Sequence, residues 1–101
     1  MKITIKDKEI TLKKTFRSII AYESATGKIF NPKSVTEMIM YFYCVVAASD
    51  TTIEISYDDF MDFLDEHPTV ITEFTEWLAK MNGIEDTLTK KKVSTTKKKN
   101  Q

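Results

Sequence analysis

Cysteine, glycine, proline and histidine are all scarce in this chain, and each scarcity removes a class of function. A single cysteine, Cys44, permits no intramolecular disulfide and gives no sign of an oxidising compartment. Gly27 and Gly83 are the only glycines and stand far apart, so there is no glycine-rich loop to cradle a phosphate. One histidine and one cysteine cannot supply a zinc ligand set. That histidine, His67, precedes Pro68, with no nucleophile or second base singled out beside it, so acid–base or nucleophilic catalysis is not indicated. Cys44 lies inside an apolar run and reads as a buried, inert thiol. The longest apolar run, Met38 to Ala48, has eleven residues. A membrane-spanning helix needs about 20. Met1–Lys6 lacks the apolar run of a signal peptide. The expectation is a soluble, cytoplasmic protein that is not an enzyme and holds no cofactor or metal.

What the chain does have is charge, arranged in blocks. Its 15 basic and 15 acidic residues cancel overall. Residues 1–33 hold eight basic and three acidic residues, net +5; residues 34–79 hold ten acids and no base, net −10; residues 80–101 return to +5. Such blocks commonly mean solvated faces, but opposite blocks on one chain also favour association between copies or with a charged partner. The acids Asp58, Asp59, Asp62, Asp65 and Glu66 fall at helical spacing. They lack the central glycine and distal glutamate of a calcium loop, so they read as a solvated helix face and as candidate partner-binding residues. Lys90, Lys91 and Lys92 are the matching basic candidates. From Lys90 on, the chain has no acid and one large apolar residue, Val93. Such a segment buries too little apolar surface to offset its ordering entropy. The expectation is one compact domain over 1–83 and a flexible lysine-rich tail over 84–101.

The hydropathy pattern predicts an α+β fold: an N-terminal β-hairpin followed by about four helices around an apolar central one. Ile3, Ile5, Ile10 and Leu12 alternate about a break at Asp7-Lys8, which predicts a hairpin over roughly 2–13. Thr15 caps a helix over about 16–26 that Gly27 stops, with Phe16, Ile19 and Ile20 as its apolar stripe. Ile29 and Phe30 are expected to pin the following loop. Ser34 and Glu37 have capping-box spacing for a helix over about 35–49 that is apolar nearly all round. Ile53–Ile55 reads as briefly extended. Ser56 caps an acidic helix with Tyr57, Phe60, Met61 and Leu64 on its inner face, ended before Pro68. Val70, Ile71, Phe74, Trp77, Leu78 and Met81 form the stripe of a last helix over about 69–82, with Trp77 expected in the core and Gly83 as the stop.

The opening Met1-Lys2-Ile3-Thr4-Ile5-Lys6-Asp7-Lys8-Glu9-Ile10-Thr11-Leu12-Lys13-Lys14-Thr15-Phe16-Arg17 resembles the start of tail assembly chaperones from long-tailed, non-contractile phages and prophages. Those begin with a lysine-bearing hairpin. A Phe-Arg pair then opens a helix that contains an acid and ends near Gly-Lys; here these are Phe16-Arg17, Glu23 and Gly27-Lys28. The layout continues over about 1–83 with an aromatic-rich helix, an acidic helix ending near a proline, a Trp-containing helix and a lysine-rich end. It departs at Asp7, where the family often has glycine. The resemblance implies no enzymatic activity. It implies a chaperone that keeps the tape-measure protein soluble while tail-tube subunits assemble around it, in the bacterial cytoplasm, and that is absent from the mature virion. Homo-oligomers are expected as well. Two other readings stand beside this one. One is a small helical protein-interaction or regulatory module. The other is a nucleic-acid-binding accessory protein; it is disfavoured because the body is acidic and no aromatic interleaves the lysines.

Overall fold

The alternating isoleucines at the N-terminus form a two-stranded antiparallel sheet in the structure, a computed structural model that describes residues 1–93, with side chains described as far as residue 81. β1 (Lys2–Ile5) pairs with β2 (Lys8–Thr11), Ile3 opposite Ile10 and Ile5 opposite Lys8. Ile3, Ile5, Ile10 and Leu12 are buried on one face, while Lys2, Thr4, Glu9 and Thr11 face solvent. The turn falls on Lys6-Asp7, one residue before the expected break. Both residues have positive φ, 52° and 63°. Positive φ at both central residues marks a type I′ turn, one of the two whose twist matches right-handed strands, so the tight turn holds a lysine and an aspartate in αL geometry.

Four helices follow: α1 (Phe16–Thr26), α2 (Val35–Ser49), α3 (Tyr57–Glu66) and α4 (Val70–Val93). The expected caps hold. Thr15, Ser34 and Ser56 accept from the backbone N–H groups of Ser18, Glu37 and Asp59, and Gly27 ends α1 at φ 71°. Residues 53–55 do not pair as a strand. α4 passes through Gly83 without ending. A mid-helix glycine costs only about 1 kcal/mol relative to alanine. The expected domain end near 83 therefore falls within α4, as do Lys90, Lys91 and Lys92, and residues 94–101 of the expected tail lie outside the described residues. The chain divides into two units, Met1–Ile71 and Thr72–Gln101.

In the first unit the core is built around α2. Its Tyr41, Phe42, Cys44, Val45 and Val46 are buried, and α1 packs along it. Three consecutive aromatics leave a helix about 100° apart, and each meets a different neighbour. Tyr41 lies edge-on to Tyr22 of α1, ring centroids 6.1 Å apart, and 4.7 Å from Phe30. Phe42 lies edge-on to Phe60 of α3 at 5.0 Å. Tyr43 meets Tyr57 at 5.3 Å, and its hydroxyl donates to the Ile55 carbonyl at 2.7 Å. The Lys13 N–H donates to Ser49 Oγ at 2.9 Å, tying the end of the hairpin to the last turn of α2.

On three helices the face turned to the core differs from the expected one. The core face of α1 carries Ser18 and Tyr22, both fully buried, whereas Phe16 and Ile20 point to solvent. The inner face of α3 includes Phe63, which was not among its expected apolar positions. In α4, Trp77 is only half-buried, whereas Val70, Phe74 and Leu78 are buried. At about 100° per residue, Trp77 sits at the margin of an apolar arc centred near Phe74, so the stripe is right but its centre is not Trp77. The Trp77 ring lies 5.8 Å from that of Phe74.

Phe42 is completely enclosed. Phe42→Ala is expected to lower the unfolding free energy by about 3–5 kcal/mol, read by urea denaturation. The capping box of α2 makes a second, pH-dependent contribution. Glu37 accepts the Lys33 N–H at 2.9 Å, the Ser34 N–H at 3.1 Å and Lys28 Nζ at 3.2 Å. These bonds favour the charged form and lower its pKa from 4.5 to about 2, the Lys33 bond contributing most. Because the folded value lies below the ordinary one, this stabilisation is complete above 4.5 and disappears as pH falls towards about 2. Glu37→Gln should flatten that part of the stability–pH curve in acid urea titrations.

Candidate functional site

Two surfaces of the first unit stand out, and they differ in chemistry. The first is apolar. Phe16 is 84% exposed and Ile20 62%, one helical turn apart on α1; Ile29 at 87% lies in the loop from α1 to α2, and Val35 at 71% opens α2. Hydropathy places Phe16 and Ile20 in the core and makes Ile29 and Phe30 the apolar anchors of the loop; of that pair, Phe30 alone takes the role. Its ring stacks edge-on against Tyr22 at 5.5 Å, and its N–H donates to Glu23 Oε2 at 2.7 Å. Glu23 and Phe30 hold the loop without help from Ile29, which is left outside. The misplacement on α1 has a local cause. Ser18 is small, and its hydroxyl donates to the Thr15 carbonyl at 2.6 Å, so it enters the core with its hydrogen bond already made. The larger apolar side chains, about half a turn away, face out.

The second surface is a groove of about 510 Å³ between the hairpin and α3. One wall is Thr4 to Asp7; the other is Asp59, Asp62 and Glu66 of α3, with Phe63 and His67. Of the five acids read as partner-binding, the structure brings Asp59, Asp62 and Glu66 to the groove. Asp58 and Asp65 are exposed outside it. Lys90, Lys91 and Lys92 belong to α4, and their side chains fall outside those described.

Asp59 links the two walls of the groove. Its carboxylate takes Lys6 Nζ at 3.0 Å, and its own N–H donates to the Ser56 cap. The hydrogen bond from Lys6, followed by the Ser56 side chain, holds the carboxyl below the usual aspartate value. Among the described residues Asp62 and Glu66 have no ion-pair partner. His67 ends α3, its N–H donating to the Phe63 and Leu64 carbonyls and its ring 4.8 Å from that of Phe63. These are the contacts of a helix-end residue. Burial pushes the Cys44 thiol above its ordinary pKa, which keeps it protonated and weakly nucleophilic.

Among the described residues no group of three or more His, Cys, Asp or Glu side chains is arranged to hold a metal ion. No described helix is long and apolar enough to cross a membrane. Comparison with protein-family profiles, curated proteins and solved structures finds no match to this chain.

The Lys6–Asp59 pair gives a direct check on the groove. Lys6→Ala removes the main influence lowering the Asp59 pKa. The Asp59 midpoint in a carbon-detected NMR titration is then expected to rise towards the ordinary aspartate value, while that of Glu37 stays where it is.

Proposed function

We propose that this chain is a tail assembly chaperone of a long-tailed, non-contractile phage or prophage, which holds the tape-measure protein soluble while the tail tube assembles. The observation that carries this reading is the pair Phe16 and Ile20, exposed a turn apart on α1, with Ile29 and Val35 exposed beyond the other end of that helix. Single exposed apolar residues are ordinary, but two on successive turns of one helix are the anchors an amphipathic partner helix uses. A long tape-measure protein is rich in such helices and has nowhere to bury them before the tube forms. The order of elements supports the reading too: a hairpin, a helix opened by Phe16-Arg17, an aromatic-rich α2 and an acidic α3 follow the layout of the chaperones that the opening sequence resembles.

Capture of this kind must be reversible. A modest apolar area supplies weak, non-directional affinity at about 25 cal/mol per Å² before the costs of association are subtracted. The acids of α3 keep like copies from collapsing together through that face of the molecule. Self-association through α1 would store the apolar surface until the tape-measure protein competes for it.

The test is to read the neighbouring genes and, where one encodes a tape-measure protein, to co-express it with this chain. Phe16→Glu combined with Ile20→Glu replaces two exposed side chains and should leave the urea midpoint nearly unchanged. The same variant is expected to leave the tape-measure protein in the insoluble fraction, whereas the unchanged chain keeps it soluble. A chain that binds equally well with both glutamates, or a gene with no tape-measure neighbour, would overturn the assignment.

A further inference from the structure

We propose that the groove between β1 and α3 receives an extended basic peptide of a partner protein, added as a third strand to the open edge of β1. This site uses other residues than the apolar surface of α1 and does not depend on the tail-assembly reading.

The pairing parity of the hairpin identifies the open edge. In a two-residue hairpin the flanking pair, Ile5 and Lys8, is hydrogen-bonded, and bonded and unbonded pairs then alternate. Ile3–Ile10 is the next bonded pair, and Met1–Leu12 the one after; the Leu12 N–H indeed donates to the Met1 carbonyl at 2.8 Å. Lys2 and Thr4 are the unbonded positions of β1, so their N–H and C=O groups point away from β2. Among the described residues nothing hydrogen-bonds to the backbone of either. Thr4 lines the groove, and no residue of β2 does. At Thr4 the open edge therefore borders the groove opposite α3, while Lys2 extends it beyond the groove. Peptide-binding domains that add a strand to a sheet edge use the same arrangement: main-chain bonds supply affinity and the flanking helix reads side chains.

The chemistry of the occupant follows from the helix wall. Asp62 and Glu66 face the groove without ion-pair partners among the described residues, and the buried Phe63 lines its floor beside them. Alternate side chains of an added strand point to one face. A peptide with lysine or arginine at alternate positions sets its charges on Asp62 and Glu66. The four residues of β1 span about 13 Å at 3.3 Å per residue, so the contact covers about four residues of the peptide. A second copy of this chain fits poorly. Pairing two β1 edges would bring Asp59, Asp62 and Glu66 of each copy towards the same acids of the other.

The test uses the full chain and a short capped peptide of alternating lysine and valine. Two control peptides carry alternate N-methylated amides or glutamate in place of lysine. Without peptide, the outward amides of Lys2 and Thr4 should exchange with solvent faster than the paired amide of Ile3. With peptide, those two amides should shift and become protected. N-methylation of the peptide is expected to weaken binding about tenfold or more, because each lost main-chain bond is worth about 1 kcal/mol. Asp62→Asn with Glu66→Gln should weaken it about threefold to tenfold at low salt and little at high salt. If the methylated peptide binds as well as the parent, strand addition is wrong. The glutamate peptide binding as tightly as the lysine one would remove the basis for a basic partner. Protection of Lys2 and Thr4 equal to that of Ile3 before any peptide is added would mean the chain or a second copy already fills the edge, and the partner assignment fails.

Discussion

The enclosure of α2 is the constraint from which the first unit follows. Its central turns carry no polar side chain from Met38 to Ala48 apart from two tyrosine hydroxyls and the Cys44 thiol. A helix of this kind needs neighbours on most of its sides. Tyr41, Phe42 and Tyr43 turn that requirement into directions. Tyr41 calls for α1 and the Phe30 loop, Phe42 for α3, and Tyr43 for the start of α3 and the carbonyl of Ile55. The hairpin takes a further side, held at the end of α2 by Ser49. A chain this short has few elements to spend on enclosure, and α1 and α3 are fully committed by one face each. What remains outward on those two helices is what the protein can offer to others.

Local chemistry made most of the elements legible in the sequence. Thr15, Ser34 and Ser56 are helix caps because their side-chain oxygens satisfy orphan N–H groups next to them in the chain, and Gly27 ends α1 because its φ of 71° suits glycine. These are neighbour effects, and no tertiary contact is needed to foresee them. The choice of face on α1 is different. Its stripe of Phe16, Ile19 and Ile20 looked like a core face, yet the buried pair is Ser18 and Tyr22. Hydropathy cannot rank a serine above a phenylalanine. Only the Thr15 carbonyl that takes the Ser18 hydroxyl, and the Phe30 and Tyr41 rings that take Tyr22, make that face the better one. The groove was half legible for a similar reason. Helical spacing grouped the five acids, but which three face the hairpin depends on where β1 lies, and that is a long-range fact.

The two outward surfaces differ in how they would respond to their surroundings. Association through Phe16 and Ile20 rests on apolar area, which salt does not weaken and which carries little specificity. Association through the β1 edge and Asp62 and Glu66 combines directional main-chain bonds with charges that salt screens within about 10 Å at 0.1 M. α2 stands between them, showing Tyr41 to one side and Phe42 to another. A partner with both amphipathic helices and basic extended segments can engage the two surfaces at once. The second contact is then intramolecular, so two weak contacts yield a bound state stronger than either alone. Release needs only one of them to be outcompeted. On the proposed tail-assembly reading, two weak contacts of different chemistry would serve temporary holding of a long chain better than one strong one. Neither contact by itself has to be broken against a large free energy, and the partner is recognised by the pair.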